Sequence, residues 1–139
     1  MTTFLDTNVI IALLDEKDEH HTWSVAEVNR LKKDGPAIVT DIVYCEVSIG
    51  MKDQAEVDAA IARLGLQRLS ASNAALVRAG RAFNQYREAN KGPKLGVLPD
   101  FLIGAHAEAE DAPLLTANPK DFVGYFPNVL IMTPAQNRN

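Results

Sequence analysis

The sequence predicts an α/β fold, with a mainly parallel sheet and helices on both faces. Three observations carry that expectation. Short apolar runs alternate with longer segments of helical period, the β-α-β rhythm of a parallel sheet. Helix stop and start signals separate them, notably Gly35-Pro36, Gly50 and Asn118-Pro119. The chain is 139 residues long with 47% apolar and 23% charged residues, enough for one core and ordinary for one globular domain.

The first strand is expected at Thr3 to Leu5, and it runs straight into Asp6. A helix follows from Thr7 to Leu14 and ends in the acidic turn Asp15-Glu16-Lys17-Asp18-Glu19. His20, His21 and Trp23 open a second helix to about Lys33, where Gly35-Pro36 stops it. Ala37 to Val39 is a second strand. Thr40 then caps a helix through Ile42, Val43, Glu46, Val47 and Ile49 that ends near Gly50. Gln54 to Leu64 is helical, with Val57, Ile61 and Leu64 on one side. Leu66 to Leu69 is a short strand or an extended connection.

The longest helix is expected from Ser72 to Ala89. Leu76, Val77, Gly80 and Phe83 form one face; Arg78, Arg81 and Gln85 form another. Residues 90–98 hold two Gly, a Pro and two Lys and read as an exposed loop. Pro99 suits the first turn of a helix running to about Glu110. Pro113 to Thr116 is a strand, Asn118-Pro119 starts a short helical turn, and Asn128 to Met132 is the last strand. No repeat, low-complexity tract or domain boundary interrupts the chain, so residues 1–139 read as one domain with 135–139 as a frayed tail.

Composition narrows the function classes. The run Val9 to Leu14 is far too short for a membrane span, which takes about 20 residues. No secretory signal is expected, because Asp6 breaks the first apolar stretch. Cys45 is the only cysteine, which excludes an internal disulfide and fits a reducing cytoplasm; it is expected to be a small buried residue. Net charge is −4 but uneven: residues 1–62 carry 5 Lys/Arg against 12 Asp/Glu, and residues 63–94 carry 7 against 1. That basic segment is dominated by Arg, whose planar fork suits phosphate.

Four acids stand apart from the solvated ones. Asp6 closes the first strand, where open α/β sheets place their active sites. Glu46 shares its helix face with Ile42, Val43, Ile49 and Gly50, and no Lys or Arg lies on its helix to pair with it. Asp100 follows Pro99 at a helix start, above the small Gly104 and Ala107, a face suited to lining a cleft. Asp121 follows the strand ending at Thr116. Each has a structural alternative: Asp6 and Asp100 suit helix starts, and Asn118-Pro119-Lys120-Asp121 is close to a capping box. Taken together, clustered carboxylates stay ionised only if a cation joins them. Oxygen-only ligation points to Mg²⁺ or Mn²⁺.

Competing chemistries find less support. His20-His21 are adjacent on a helix and lack a third His or a Cys nearby, so zinc is not expected. His106 lies off the face of Asp100. Neither a phosphate-binding Gly-rich loop nor a Gly-x-Ser-x-Gly elbow is present. A Mg²⁺-dependent phosphatase would need a nucleophilic Asp beside a Lys, and no such pairing is evident. A non-catalytic or catalytically weak RNA- or protein-binding module, its acids merely caps, is the other alternative.

Four stretches carry a family resemblance: Phe4-Leu5-Asp6-Thr7-Asn8, Tyr44-Cys45-Glu46-Val47-Ser48-Ile49-Gly50, Leu98-Pro99-Asp100-Phe101-Leu102-Ile103, and Leu115-Thr116-Ala117-Asn118-Pro119-Lys120-Asp121-Phe122. In this order they resemble the acidic motifs of PIN-domain ribonucleases, and with the chain's size they look most like VapC toxins of toxin–antitoxin pairs. The resemblance implies a three-layer α/β/α fold and Mg²⁺- or Mn²⁺-dependent endoribonuclease activity. It also implies a homodimer and a VapB-type antitoxin. Asp6, Glu46 and Asp100 match the core acids and Asp121 the usual fourth. One position departs: many relatives carry Arg where this chain has Ala117.

On that reading Asp6, Glu46, Asp100 and Asp121 are the catalytic and metal-holding acids. Asn8, Thr116 and Asn118 hydrogen-bond around them and aim the carboxylates. An acidic site repels RNA, so a positive rim must draw the backbone in; Arg78, Arg81, Lys91 and Lys94 are the candidates. Trp23, Leu31 and exposed parts of Ile10 to Leu14 are candidates for an antitoxin groove.

Overall fold

The computed structural model describes residues 1–90 and 95–134. The expected tail at 135–139 and the two lysines Lys91 and Lys94 lie outside the described residues. Five strands form one sheet: β1 (Thr3–Leu5), β2 (Ala37–Val39), β3 (Gln67–Arg68), β4 (Leu114–Leu115) and β5 (Ile131–Met132). Between them run α1 (Thr7–Leu14), α2 (His21–Lys32), α3 (Asp41–Ser48), α4 (Gln54–Arg63), α5 (Asn73–Asn90), α6 (Leu98–Ala109) and α7 (Lys120–Tyr125). A 3₁₀ turn, Leu95–Val97, leads into α6.

The strand order is β3-β2-β1-β4-β5, and every pairing is parallel. With helices on both faces this is the three-layer α/β/α arrangement. The ambiguous stretch after Leu66 resolves as the edge strand β3, exposed at both residues, which pairs with β2. The last two strands are shorter than the apolar runs that announced them, because only the residues in register with β1 and β4 are paired.

This topology has a switch point. The chain builds outward from β1 through β2 to β3, then returns to the other side of β1 to lay down β4 and β5. Loops leaving β1 and β4 therefore part in opposite directions, which opens a crevice at the strands' carboxyl ends. Asp6 follows β1 and Thr116 follows β4, so the topology delivers both residues to one place.

The central strands β1, β2 and β4 are buried along their full length, as a sheet covered on both faces requires. Phe4, Phe101, Phe122 and Phe126 are the largest fully buried side chains. Gly104, expected to line a cleft beneath Asp100, instead lies in this core. A Cβ there would stand 2.5 Å from the Phe126 ring, so α6 approaches that ring only because residue 104 lacks one. Ala107 is likewise fully buried.

Two other expectations change, for Cys45 and for the docking surface, and His106 proves to be a core residue. Cys45 is exposed rather than buried. His106 is 1% exposed, packs edge-on against Phe4 at 4.8 Å, and leaves its Nε2 without a hydrogen-bond partner. Burial pushes its pKa below the ordinary histidine value, so it is a neutral core imidazole. Leu31 and Ile10 belong to the core at 5% and 1% exposure, which removes them from any docking surface.

Candidate active site

Asp6 is both helix cap and buried carboxylate, at 5% exposure. Its extended backbone (φ −74°, ψ 158°) ends β1 and turns the chain into α1, and Oδ1 accepts the Thr7 N–H at 2.7 Å. The capping reading and the functional reading therefore describe one carboxylate with two oxygens. The second, Oδ2, accepts the Thr116 hydroxyl at 2.7 Å and the Asn8 amide at 3.2 Å.

A belt of neutral groups holds that geometry. Asn8 Nδ2 also reaches Thr116 Oγ1 at 3.3 Å, and Asn8 Oδ1 accepts the Ala117 N–H at 3.1 Å. Thr116 Oγ1 accepts the Asn118 N–H at 3.0 Å. Asn8 and Thr116 are thus brought to Asp6. Asn118 joins through its main chain only, and its residue is exposed. Position 117, where the sequence departs from many relatives, contributes a backbone N–H that any residue but proline supplies.

Glu46 sits half-buried on α3, and its Oε1 accepts the Thr7 hydroxyl at 2.6 Å. Sequence reasoning missed Thr7. Its neighbour Asp6 is a local signal, but its partner Glu46 lies 39 residues away.

Asp100 occupies the first turn of α6 and is half-buried. Its carboxyl is pushed up to about 7, first by burial and then by the charges of Asp6, Asp121 and Glu46 in that order. Asp6 is also raised, by burial first; its bonds from Thr116 and Thr7 work against that, and Glu46 adds to it. Asp6, Glu46 and Asp121 therefore all lie within electrostatic reach of Asp100, and Glu46 within reach of Asp6. Among the described residues, none of the four forms an ion pair with Lys or Arg.

The capping box expected at Asn118 to Asp121 does not form, although Asp121 still lies in the first turn of α7. The residue before α7 is Pro119, not Asn118, and no side chain caps that helix. Asp121 is half-buried, and its charge bears on Asp100.

The donor set is all carboxylate oxygen, as a hard divalent cation requires, and among the described residues no Lys or Arg pairs with it. As the side chains stand, no group of three or more His, Cys, Asp or Glu among the described residues is closed into a metal-ligating shell. All four candidates are carboxylates, the donor type a hard divalent cation takes, but their side chains are not gathered into a shell.

The basic rim needs a correction at Arg78. Its Nε donates to Glu108 Oε1 at 2.7 Å, a second nitrogen donates to the Tyr125 carbonyl at 2.8 Å, and the guanidinium lies 4.8 Å from the Phe126 ring centre. Arg78 is a strut between α5, α6 and the end of α7, and is not free for phosphate. Arg81 is exposed, beside Val77, Gly80, Asn84 and Gln85 on the same helix.

Beside Glu46 an apolar groove opens between α1 and the end of α3, lined by Thr7, Ile11, Leu14, Ile49 and Met51. Ile49 is 82% exposed and Ile11 44%. Of the residues expected to form a docking groove, Ile11 and Leu14 lie in it.

Comparison with known proteins agrees with the fold. The profile of a family described as the PIN domain matches residues 3–123. No curated protein matches the chain by sequence. Among solved structures, VapBC2 from Rickettsia felis, bound to a DNA fragment from its promoter, superposes with a TM-score of 0.74 at 21% identity, covering 97% of this chain and 100% of that one. VapBC-1 from nontypeable Haemophilus influenzae gives 0.69 at 22%, covering 96% and 98%. Mycobacterium tuberculosis VapC20, described as a sarcin-ricin loop cleaving toxin, gives 0.59 at 16%, covering 91% and 98%.

Proposed function

The chain belongs to the PIN-domain family, and from that premise we propose that it is a metal-dependent endoribonuclease acting as the toxin of a VapBC-type pair. The observation that carries the reading is the placement of the acids at the switch point: Asp6 is bound by Thr7, Asn8 and Thr116, Glu46 is bound to the same Thr7, and Asp100 lies near enough for burial and the charges of Asp6, Asp121 and Glu46 to push its carboxyl up to about 7. A protein gains nothing in stability from such repulsion. It becomes useful when a cation and a phosphodiester arrive together.

Asp6, Glu46 and Asp100 would hold Mg²⁺ or Mn²⁺, and Asp121 would help hold a second ion or orient the attacking water. When bound, such an ion acidifies a water and offsets the charge that builds on the phosphate. Asp6 is aimed beforehand by Thr7, Asn8 and Thr116, so little reorganisation remains at that wall of the site. Asp100 would have to be ionised to serve as a ligand, so metal uptake would depend on pH. Arg81, with Lys91 and Lys94, would guide the RNA backbone towards this acidic crevice.

A VapB-type antitoxin is the proposed partner, since solved relatives of the same fold are toxin–antitoxin complexes. The groove beside Glu46 offers it an apolar seat next to the acids. The active form is proposed to be a homodimer in the cytoplasm. Among the described residues no helix is long and apolar enough to cross a membrane.

Expression in a bacterial host tests the reading. Wild type should arrest growth and yield RNA fragments with defined ends, while Asp6→Asn should do neither. Equal arrest by Asp6→Asn would contradict it. A small partner should co-purify from the native host.

A further inference from the structure

We infer that Thr7 is a positioning residue that sets Asp6 and Glu46 as one unit, an inference that rests on the nuclease reading above. Thr7 is the first residue of α1. Its N–H is bound to Asp6 Oδ1 at 2.7 Å and its hydroxyl to Glu46 Oε1 at 2.6 Å. The second bond is short, and it fixes where Glu46 Oε1 sits relative to Asp6. The belt of Asn8 and Thr116 reaches Asp6 but makes no bond to Glu46. Among the described residues, Thr7 is the one that hydrogen-bonds both Asp6, at the end of β1, and Glu46, on α3.

The residue type suits the task. A glutamate side chain on a helix has three freely turning bonds and drifts away from a like charge unless anchored. Threonine is branched at Cβ and stiff at χ1, and here its backbone is fixed by the start of α1. Its hydroxyl is therefore a fixed point. It is also neutral. A Lys or Arg in its place would hold Glu46 equally well but would neutralise the charge that a divalent cation needs. Thr7 opposes the mutual repulsion of Asp6 and Glu46 by direction rather than by charge.

Thr7→Val keeps the branching and the backbone N–H and removes only the hydroxyl; Thr7→Ser keeps the hydroxyl. The full chain is titrated with Mn²⁺, with free ion counted by electron paramagnetic resonance, and single-turnover RNA cleavage is measured beside it. Thr7→Val should bind Mn²⁺ about 10–100-fold more weakly, the usual range for groups that orient metal ligands. Thr7→Ser should stay near wild type. In a Glu46→Ala background, which removes the acceptor, Thr7→Val should add no further loss, because the two act through one bond. Wild-type Mn²⁺ affinity in Thr7→Val overturns the inference, as does a Thr7→Ser variant as weak as Thr7→Val. Absence of Mn²⁺ binding and cleavage in wild type itself overturns the nuclease reading, and this inference with it.

Discussion

Thr116 donates its hydroxyl to Asp6 Oδ2 at 2.7 Å across 110 residues of sequence, with Thr116 fully buried. The bond joins the loop ends of β1 and β4, the two strands between which the sheet reverses its growth. Thr116→Val is isosteric and removes that donor, leaving Asp6 Oδ2 with the longer bond from Asn8. Chemical denaturation should show a loss of about 1–3 kcal/mol. Single-turnover cleavage should fall by at least about tenfold. Unchanged values for both would mean that Asp6 does not depend on this bond.

Asp100 fixes a pH dependence, and its direction follows from proton counting. An acid raised to about 7 in the folded chain keeps a proton that the unfolded chain releases near its ordinary value of about 4. Between those values the folded state binds more protons, so stability without metal falls as pH rises from about 4 through about 7. Asp6, also raised, acts in the same direction. Metal requires the ionised form, so stabilisation by Mg²⁺ or Mn²⁺ should grow over the same interval. Asp100→Asn should flatten both trends. Melting temperatures at pH 5, 6, 7 and 8, in EDTA and in Mn²⁺, provide the check.

Gly104 is a packing requirement. In Gly104→Ala the new methyl meets a Phe126 ring held between Phe101, at 5.8 Å between centroids, and the Arg78 guanidinium. The ring cannot step aside. Overpacking of this kind costs about 1–3 kcal/mol, outweighing Ala's higher helix propensity of about 1 kcal/mol. Denaturant unfolding should register a net loss, with the circular dichroism of the remaining fold intact.

Arg78 and Arg81 lie one helical turn apart and should behave as opposites. Arg78→Ala strands Glu108, whose side chain is 21% exposed, and should cost about 1–3 kcal/mol. Arg81→Ala should leave stability within about 0.5 kcal/mol but weaken RNA binding and flatten its salt dependence. Fluorescence anisotropy with labelled RNA at several salt concentrations separates the two. An unchanged salt slope for Arg81→Ala would remove that residue from the rim.

What could be read in advance was local. Thr3 to Thr7 contains both an apolar strand and its turn into a helix, so the place of Asp6 was legible within a few residues. Glu46 was legible because its helix offers it no cation. The pairings that matter most are not local. Nothing near Arg78 signals Glu108, 30 residues on, and nothing near Thr7 signals Glu46. At Asn118 the local pattern misled: it suggests a helix cap, but its N–H turns back to Thr116 and the helix starts after Pro119. Gly104 looked like the floor of a cleft because small size alone does not distinguish an open face from one filled by Phe126.

The most direct test is cleavage of a structured RNA by purified wild type and Asp100→Asn, each in Mg²⁺ and in EDTA, under single-turnover conditions. Wild type in Mg²⁺ should cut at defined positions, and the other three conditions should leave the RNA intact. Equal cutting by Asp100→Asn, or by wild type in EDTA, would contradict a metal-dependent carboxylate site.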